Sequence, residues 1–352
     1  MVSIAARRTF RSPSLRARHL TIAAMCLLVA GSAGVLIGPV DLGFSGVVRE
    51  LIDRLPLVDA QSALSEREAA ILWELRLPRV LLGGLVGATL ALSGAAYQGV
   101  FRNPLADPYL LGVAAGGGLG ATLAIAYLPR TDGWVIDPLP LAAFVGALAG
   151  VAATYALGRS DRSRSATTLI LAGVAVASFL TALQTYFQQR ESDTLQQVYA
   201  WVLGRLSTAG WHEVTLILPY VAVSGFAILL HRRLLDVLSV GDEEANALGV
   251  HAERVRLIVV VAATLGTAAA VAVSGLIGFV GIIVPHTVRL LFGSSYRSVL
   301  PLSILFGATF LVLADLLART LIAPAELPIG VITAFFGAPF FVVVLRTRRR
   351  LI

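Results

Sequence analysis

Residues 255–274 read Val-Arg-Leu-Ile-Val-Val-Val-Ala-Ala-Thr-Leu-Gly-Thr-Ala-Ala-Ala-Val-Ala-Val-Ser. Arg256 stands near the start, and no charged residue follows it before Ser274. At about 1.5 Å per residue, a helix over this run is about 30 Å long, the thickness of a bilayer's hydrocarbon core. Runs of the same kind recur at 20–40, 78–100, 109–128, 139–157, 168–189, 211–230, 280–293, 299–318 and 329–346, so the sequence predicts ten crossings. A further short helix over 195–204 is expected to dip into one face without crossing. The fold class is an all-α polytopic membrane protein, with 1–352 forming one transmembrane domain.

Composition agrees. Apolar types make up 57% of the 352 residues and charged types 14%, against about 25% charged in soluble domains. That shortfall excludes a disordered chain, a soluble enzyme and a nucleic-acid binder. The net charge of +7 reflects short basic loops. All 28 basic residues are Arg, and 19 of them fall in 1–19, 101–108, 158–167, 231–256, 289–298 and 346–352. These segments alternate with the spans, so the positive-inside bias makes this side cytoplasmic, with both termini inside. The Arg-rich tail 1–19 reads as a cytoplasmic anchor rather than a signal peptide.

The absence of Lys excludes chemistry. A GxxxxGK[ST] phosphate loop needs its Lys to reach the β- and γ-phosphates. If ATP drives this chain, ATP and Mg are bound by a partner subunit and no cofactor is held here. Cys26 has no partner for an internal disulfide, and His19, His212, His231, His251 and His286 show no metal spacing,.

Four places carry candidate function. Arg76-Leu-Pro-Arg79 is read as the outer start of the second span, because Pro suits a helix's first turn. Its two Arg either snorkel to lipid phosphates or receive an acidic partner. Asn103-Pro-Leu105 and the following Pro108 break helix on the inner side, as an ordinary turn or a gate rim. The inner loop 231–256 predicts two short helices within 234–253. Gly241, Asp242, Glu243 and Glu244 open the second of them, Ala245 and Leu248 give it an inward apolar face, and Gly249 stops it. A solvated loop has no need of that stripe, whereas a docking element for a cytoplasmic protein does. Asp315 and Arg319, four residues apart inside a span, are expected to form a structural ion pair.

Taken in order, Arg76-Leu-Pro-Arg79, Ser93-Gly94 to Gln98, Asn103-Pro-Leu-Ala106, Leu171-Ala-Gly173, Leu248-Gly249, Ser274-Gly275 through Pro285-His286 to Arg289, Ala314-Asp315, and Glu326-Leu-Pro-Ile-Gly330 through Gly337-Ala-Pro339 resemble the permease subunits of the ABC importers for iron–siderophores, haem and cobalamin. The resemblance spans about Arg76 to Leu345. It implies a ten-span type II importer permease that carries an iron chelate or cobalamin across the inner membrane. Its expected partners are a second copy of itself, two ATP-binding subunits inside, and a periplasmic or lipid-anchored binding protein outside. By position it implies binding-protein docking at Arg76, Arg79 and Arg319, coupling to the ATPase over about 236–253, and gate positions at Asn103, Leu105, Ala166 and Thr167. Two features depart from the family. Arg205 puts a charge where a small residue is usual, and the periplasmic segment 41–75 is long. The competing classes are a secondary transporter or channel not coupled to ATP, and an intramembrane enzyme. The first calls for paired intramembrane acids, the second for a nucleophile with a base or metal ligands at one depth.

Overall fold

A computed structural model describes residues 16–54, 64–128, 137–158 and 166–348. Most of the Arg-rich tail 1–19, part of 41–75 and most of the loop 158–167 lie outside the described residues. Helices follow in the order α1 (Ala17–Leu36), α2 (Phe44–Asp53), α3 (Glu66–Val100), α4 (Val113–Tyr127), α5 (Pro138–Gly158), α6 (Ala166–Arg190) and α7 (Leu195–Val202), then α8 (Trp211–Leu230), α9 (Arg232–Leu238), α10 (Asp242–Ala247), α11 (Ala252–Ser274), α12 (Val280–Phe292), α13 (Tyr296–Thr320) and α14 (Ile329–Arg348). Seven of these are long and apolar enough to span a bilayer. The three shorter apolar helices, α4, α12 and α14, bring the total to ten, as the apolar runs predict.

One boundary differs. The helix that carries the second span does not begin at Pro78; it is already present from Glu66. A wide π-turn over Ile71–Arg76 joins that first stretch to the rest, and the Leu77 amide donates to the Leu72 carbonyl, five residues back. The wide turn lets the helix pass through Pro78, which lacks an N–H and crowds the preceding turn. The described parts of segment 41–75, residues 41–54 and 64–75, are therefore built rather than loose. Leu42 and Val47 meet Leu72 in a small apolar core of their own.

The middle of the bundle is packed at backbone contact. A methyl group at Gly94 of α3 would fall on the Gly281 carbonyl oxygen of α12, and one at Gly116 of α4 on the Gly146 oxygen of α5. Where lipid supplies no hydrophobic drive between helices, small residues let backbones approach and gain dispersion contact. α12 has only 13 residues, about 20 Å of helix, so it does not reach across alone. The chain between Ser274 and Val280 is unwound. The Tyr109 hydroxyl accepts from the Ile277 amide at 3.0 Å and donates to its carbonyl at 3.1 Å, and the Arg205 amide donates to Ser274 O at 2.8 Å. Irregular backbone at membrane depth persists only when the protein satisfies it in this way.

Candidate functional site: two charged ends of the bundle

At one end, where α1 and α13 finish and the core of α3 starts, five charged side chains meet. Arg79 donates to both oxygens of Asp315, at 2.8 to 3.1 Å, and forks onto Glu326 at 2.8 and 3.0 Å. Arg319 approaches Asp315 Oδ2 with its Nε at 3.6 Å and donates through Nη2 to Gly34 O. Arg76 donates to Val35 O and Leu36 O, each at 2.9 Å, and to Val40 O. The carbonyls at a helix C-terminus have no intrahelical donors. Two guanidinium groups supply them here, with charge of the sign the helix dipole favours.

Of the three Arg expected to face a partner, two are turned to the chain's own backbone. Arg76 and Arg319 are only 4% and 3% exposed and are spent on the chain's own carbonyls. Arg79 keeps a narrow exposed edge, beside the exposed Glu326. The pair Asp315–Arg319 exists, but Asp315 also serves Arg79, and the tighter contact is with Arg79. Glu326 belongs to this cluster, although the sequence gave it no role beyond its place in a motif.

At the opposite end, α9 and α10 form the expected short pair. Leu235, Leu238 and Ala245 are buried, and the Val250 amide reaches back to Ala245 O after Gly249, whose φ is +79°, a Schellman-type stop. Leu248 does not face inward. It is 70% exposed, as Val240 is at 67%, because α10 lies on the surface of the bundle with Ala245 as its buried residue. Glu243 and Glu244 are exposed beside them, and Gly241 is the buried cap.

Two acids tie this pair to the bundle. Asp236 accepts from the Tyr296 amide at 2.6 Å and from Ser295 Oγ at 2.9 Å, so α9 supplies the N-terminal cap of α13,. Asp242 meets Arg256 of α11 at 2.9 Å and Arg102, just past α3, at 3.1 Å. These links escape a sequence reading because the partners lie 14 to 140 positions away. Nearby, Gln98 donates to Gly281 O at 2.9 Å and accepts from Arg289. That joins α3 to α12.

Of the expected gate residues, Asn103 and Leu105 form one turn, with Asn103 Oδ1 accepting from the Leu105 amide at 3.0 Å. Ala166 and Thr167 open α6, and Thr167 is exposed. No hydrogen bond or ion pair brings the two pairs together among the described residues. Arg205 lies half-buried in the turn after α7. Among the described residues, no group of three or more His, Cys, Asp or Glu is placed to hold a metal ion.

Ten apolar helices packed glycine to glycine, with ion pairs pinning both ends and a docking-sized helix pair at one of them, have the build of a multi-pass membrane permease. The chain belongs to the FecCD transport family, whose model matches residues 25–347. It is 45% identical to the ABC transporter permease YvrB of Bacillus subtilis over 80% of each chain. It is also 42% identical to the cobalamin import system permease BtuC of Halobacterium salinarum, over 82% of this chain and 76% of that one. A solved metal-chelate-type ABC transporter in an inward-facing conformation superposes with a TM-score of 0.80 at 30% identity, over 94% of this chain and all of the other.

Proposed function

We propose that this chain is the membrane subunit of an ATP-driven importer for an iron chelate, siderophore or haem, or for cobalamin, and that it takes its cargo from a binding protein and its drive from separate ATPase subunits. The observation that carries the reading is the α9–α10 pair. It presents Val240 and Leu248 outward beside Glu243 and Glu244, while Asp236 and Asp242 fasten its other side to α13, α11 and the end of α3. A push on the exposed side is therefore passed to three spans at once. The Arg-rich end is cytoplasmic, and the Arg79 end faces out, with the chain multi-pass in the inner membrane. Two copies enclose the path, and two ATP-binding subunits, which hold ATP and Mg, sit beneath them. Asn103, Leu105, Ala166 and Thr167 form the inner gate.

Docking of the binding protein falls to Arg79 with Glu326. Arg76 and Arg319 act from inside, by keeping α1 seated. ATP needs to favour one arrangement over the other by only a few kcal/mol to move the population. Arg205 gives the outer half of the path a cation, which suits an anionic chelate.

The test is co-purification. Leu248→Asp places a charge at the centre of the docking face without touching the core, and it is expected to release the ATPase subunits on gel filtration while the permease stays folded. Continued co-elution overturns the assignment. Substrate accumulation by the chain alone in liposomes, with neither ATPase nor binding protein, overturns the importer reading as a whole.

A further inference from the structure

Helix α2 has three faces, not two. At about 100° per residue, Gly46, Val47 and Glu50 point one way, and all three are buried. The rotation is fixed from outside the helix. Trp73 Nε1 donates to Glu50 Oε1 at 2.8 Å, the Arg54 guanidinium lies 5.0 Å over the Trp73 ring, and a side chain at Gly46 would collide with Leu64. The two remaining faces are both open, yet they differ in chemistry. Phe44, Val48, Leu51 and Ile52 fall within about 100° of arc, with Phe44 70% exposed and Leu51 and Ile52 at 37% each. Ser45, Arg49 and Asp53 occupy the arc beside them, and all are exposed.

A helix with water on its whole outer side has no reason to separate these residues. Segregated apolar and charged arcs on one exposed helix mark an interface between two media. The level agrees. α1 is a span of 20 residues, and its last carbonyls are held by Arg76. Only seven residues separate α2 from the end of α1, and α2 packs on Leu72 and Trp73. Leu72 lies four residues before Arg76, about 6 Å further along the axis. The headgroup layer adds about 5 to 7 Å to each side of the hydrocarbon. Along the chain, the exposed apolar side chains of α1 continue through Ile37 and Val40 to Phe44, so the stripe carries on from the lipid-facing surface of the first span. Arg49, exposed on the arc beside the stripe, is long enough to reach lipid phosphates from there.

We propose that α2 is an interfacial helix, seated in the headgroup layer at the Arg79 end, with Phe44, Val48, Leu51 and Ile52 against acyl chains and Ser45, Arg49 and Asp53 toward water. Residues 41–54 thereby serve as a lipid-anchored brace for α1 and the start of α3. This holds whichever cargo the permease carries.

Site-directed spin labels test it. With Cys26 replaced by Ser, single Cys residues are placed at positions 44, 48, 51 and 52 and at 45, 49 and 53. The full chain is reconstituted in nanodiscs of phosphatidylcholine with phosphatidylglycerol. Labels on the first set are expected to gain oxygen collisions and lose collisions with a water-soluble nickel chelate, and labels on the second set to do the reverse. Phe44→Trp gives a second readout, since brominated lipid is expected to quench its fluorescence above that of the same variant in plain lipid. Nickel access at all seven positions with no quenching overturns the proposal. So does nickel access at 44, 48, 51 and 52 that is lost only when a binding protein is added, which would make the stripe a protein-docking face. Neither outcome touches the Leu248 test.

Discussion

Replacing Asp315 with Asn isolates the charge that holds the Arg79 end together. The cluster contains three guanidinium groups and two carboxylates, so it already carries one excess positive charge. Asp315 is 3% exposed and is the one carboxylate within 4 Å of Arg319 among the described ion pairs. Arg319 Nε has no hydrogen bond of its own. Asn removes the negative charge and leaves Arg319 buried and uncompensated, while Arg79 keeps Glu326. Breaking a buried pair from one side costs about 3 to 5 kcal/mol, or about two to three and a half decades in the folding constant. Reversible unfolding of the purified chain in mixed micelles, titrated with denaturing detergent, reads this directly. The double replacement Asp315→Leu with Arg319→Met removes both charges and is expected to recover most of the loss, giving a coupling well above 0.5 kcal/mol in the cycle. If these residues served only a partner, Asp315→Asn would stay within about 0.5 kcal/mol of the parent, and only binding-protein affinity would fall. That result refutes the interior assignment.

Gly94→Ala is expected to destabilise by about 1 to 3 kcal/mol, since its methyl meets the Gly281 carbonyl rather than a movable side chain,. Gly31→Ala on α1, with nothing within 4 Å of the new methyl, is expected to be neutral or stabilising by up to about 1 kcal/mol. Thermal unfolding of the two side by side checks the contrast, and equal melting points contradict it. At the start of α3, the Ser65 amide and hydroxyl donate to the Glu68 carboxylate at 2.8 and 2.7 Å and hold its pKa below the ordinary value. A depressed carboxylate stabilises the fold above its unfolded pKa, and the gain disappears as pH falls through the folded one. Amide protection over Glu66–Ala70, taken as the exchange rate relative to the intrinsic rate at each pH, is therefore expected to fall on acidification, and Ser65→Ala is expected to move that onset to higher pH. An onset that Ser65→Ala leaves in place counts against the capping box.

The spans were legible because lipid imposes one simple demand. A helix that crosses it shows a long run without charge, and 211–230 is found as read. The first ten residues of α3 were not legible for the same reason. Glu66, Arg67, Glu68 and Glu74 break the apolar run, and Pro78 carries the local signature of a helix start. What overrides both is a π-turn, whose i−5 hydrogen bond leaves no mark on the composition. The short helices α9 and α10 were legible from their acidic start and the Gly249 stop. The direction of Leu248 was not, because it depends on how the short helix α10 lies on the bundle, where Ala245 is its buried residue, and the spacing within the helix does not carry that.

The ion pairs differ between the two ends in a way that bears on movement. A sequence reading assigns every Arg to water or to a partner, since its cost in lipid is the one fact that spacing supplies. Arg76 is instead satisfied by carbonyls 36 to 41 residues earlier in the chain, which only the docking of α1 brings near. Removing such a buried partner costs several kcal/mol, so α1, α3 and α13 are locked to one another at that end. Asp242, by contrast, is 38% exposed and its partner Arg102 43%, and pairs in that setting hold by about 0 to 1 kcal/mol each. Contacts that weak can exchange partners as a helix pair tilts, and contacts as strong as those of Arg79 cannot. Under the proposed coupling, a push delivered to α10 would meet a bundle that is soft where it arrives and fixed at the far end. Such an arrangement can open one mouth of a pathway by rocking helices about the other.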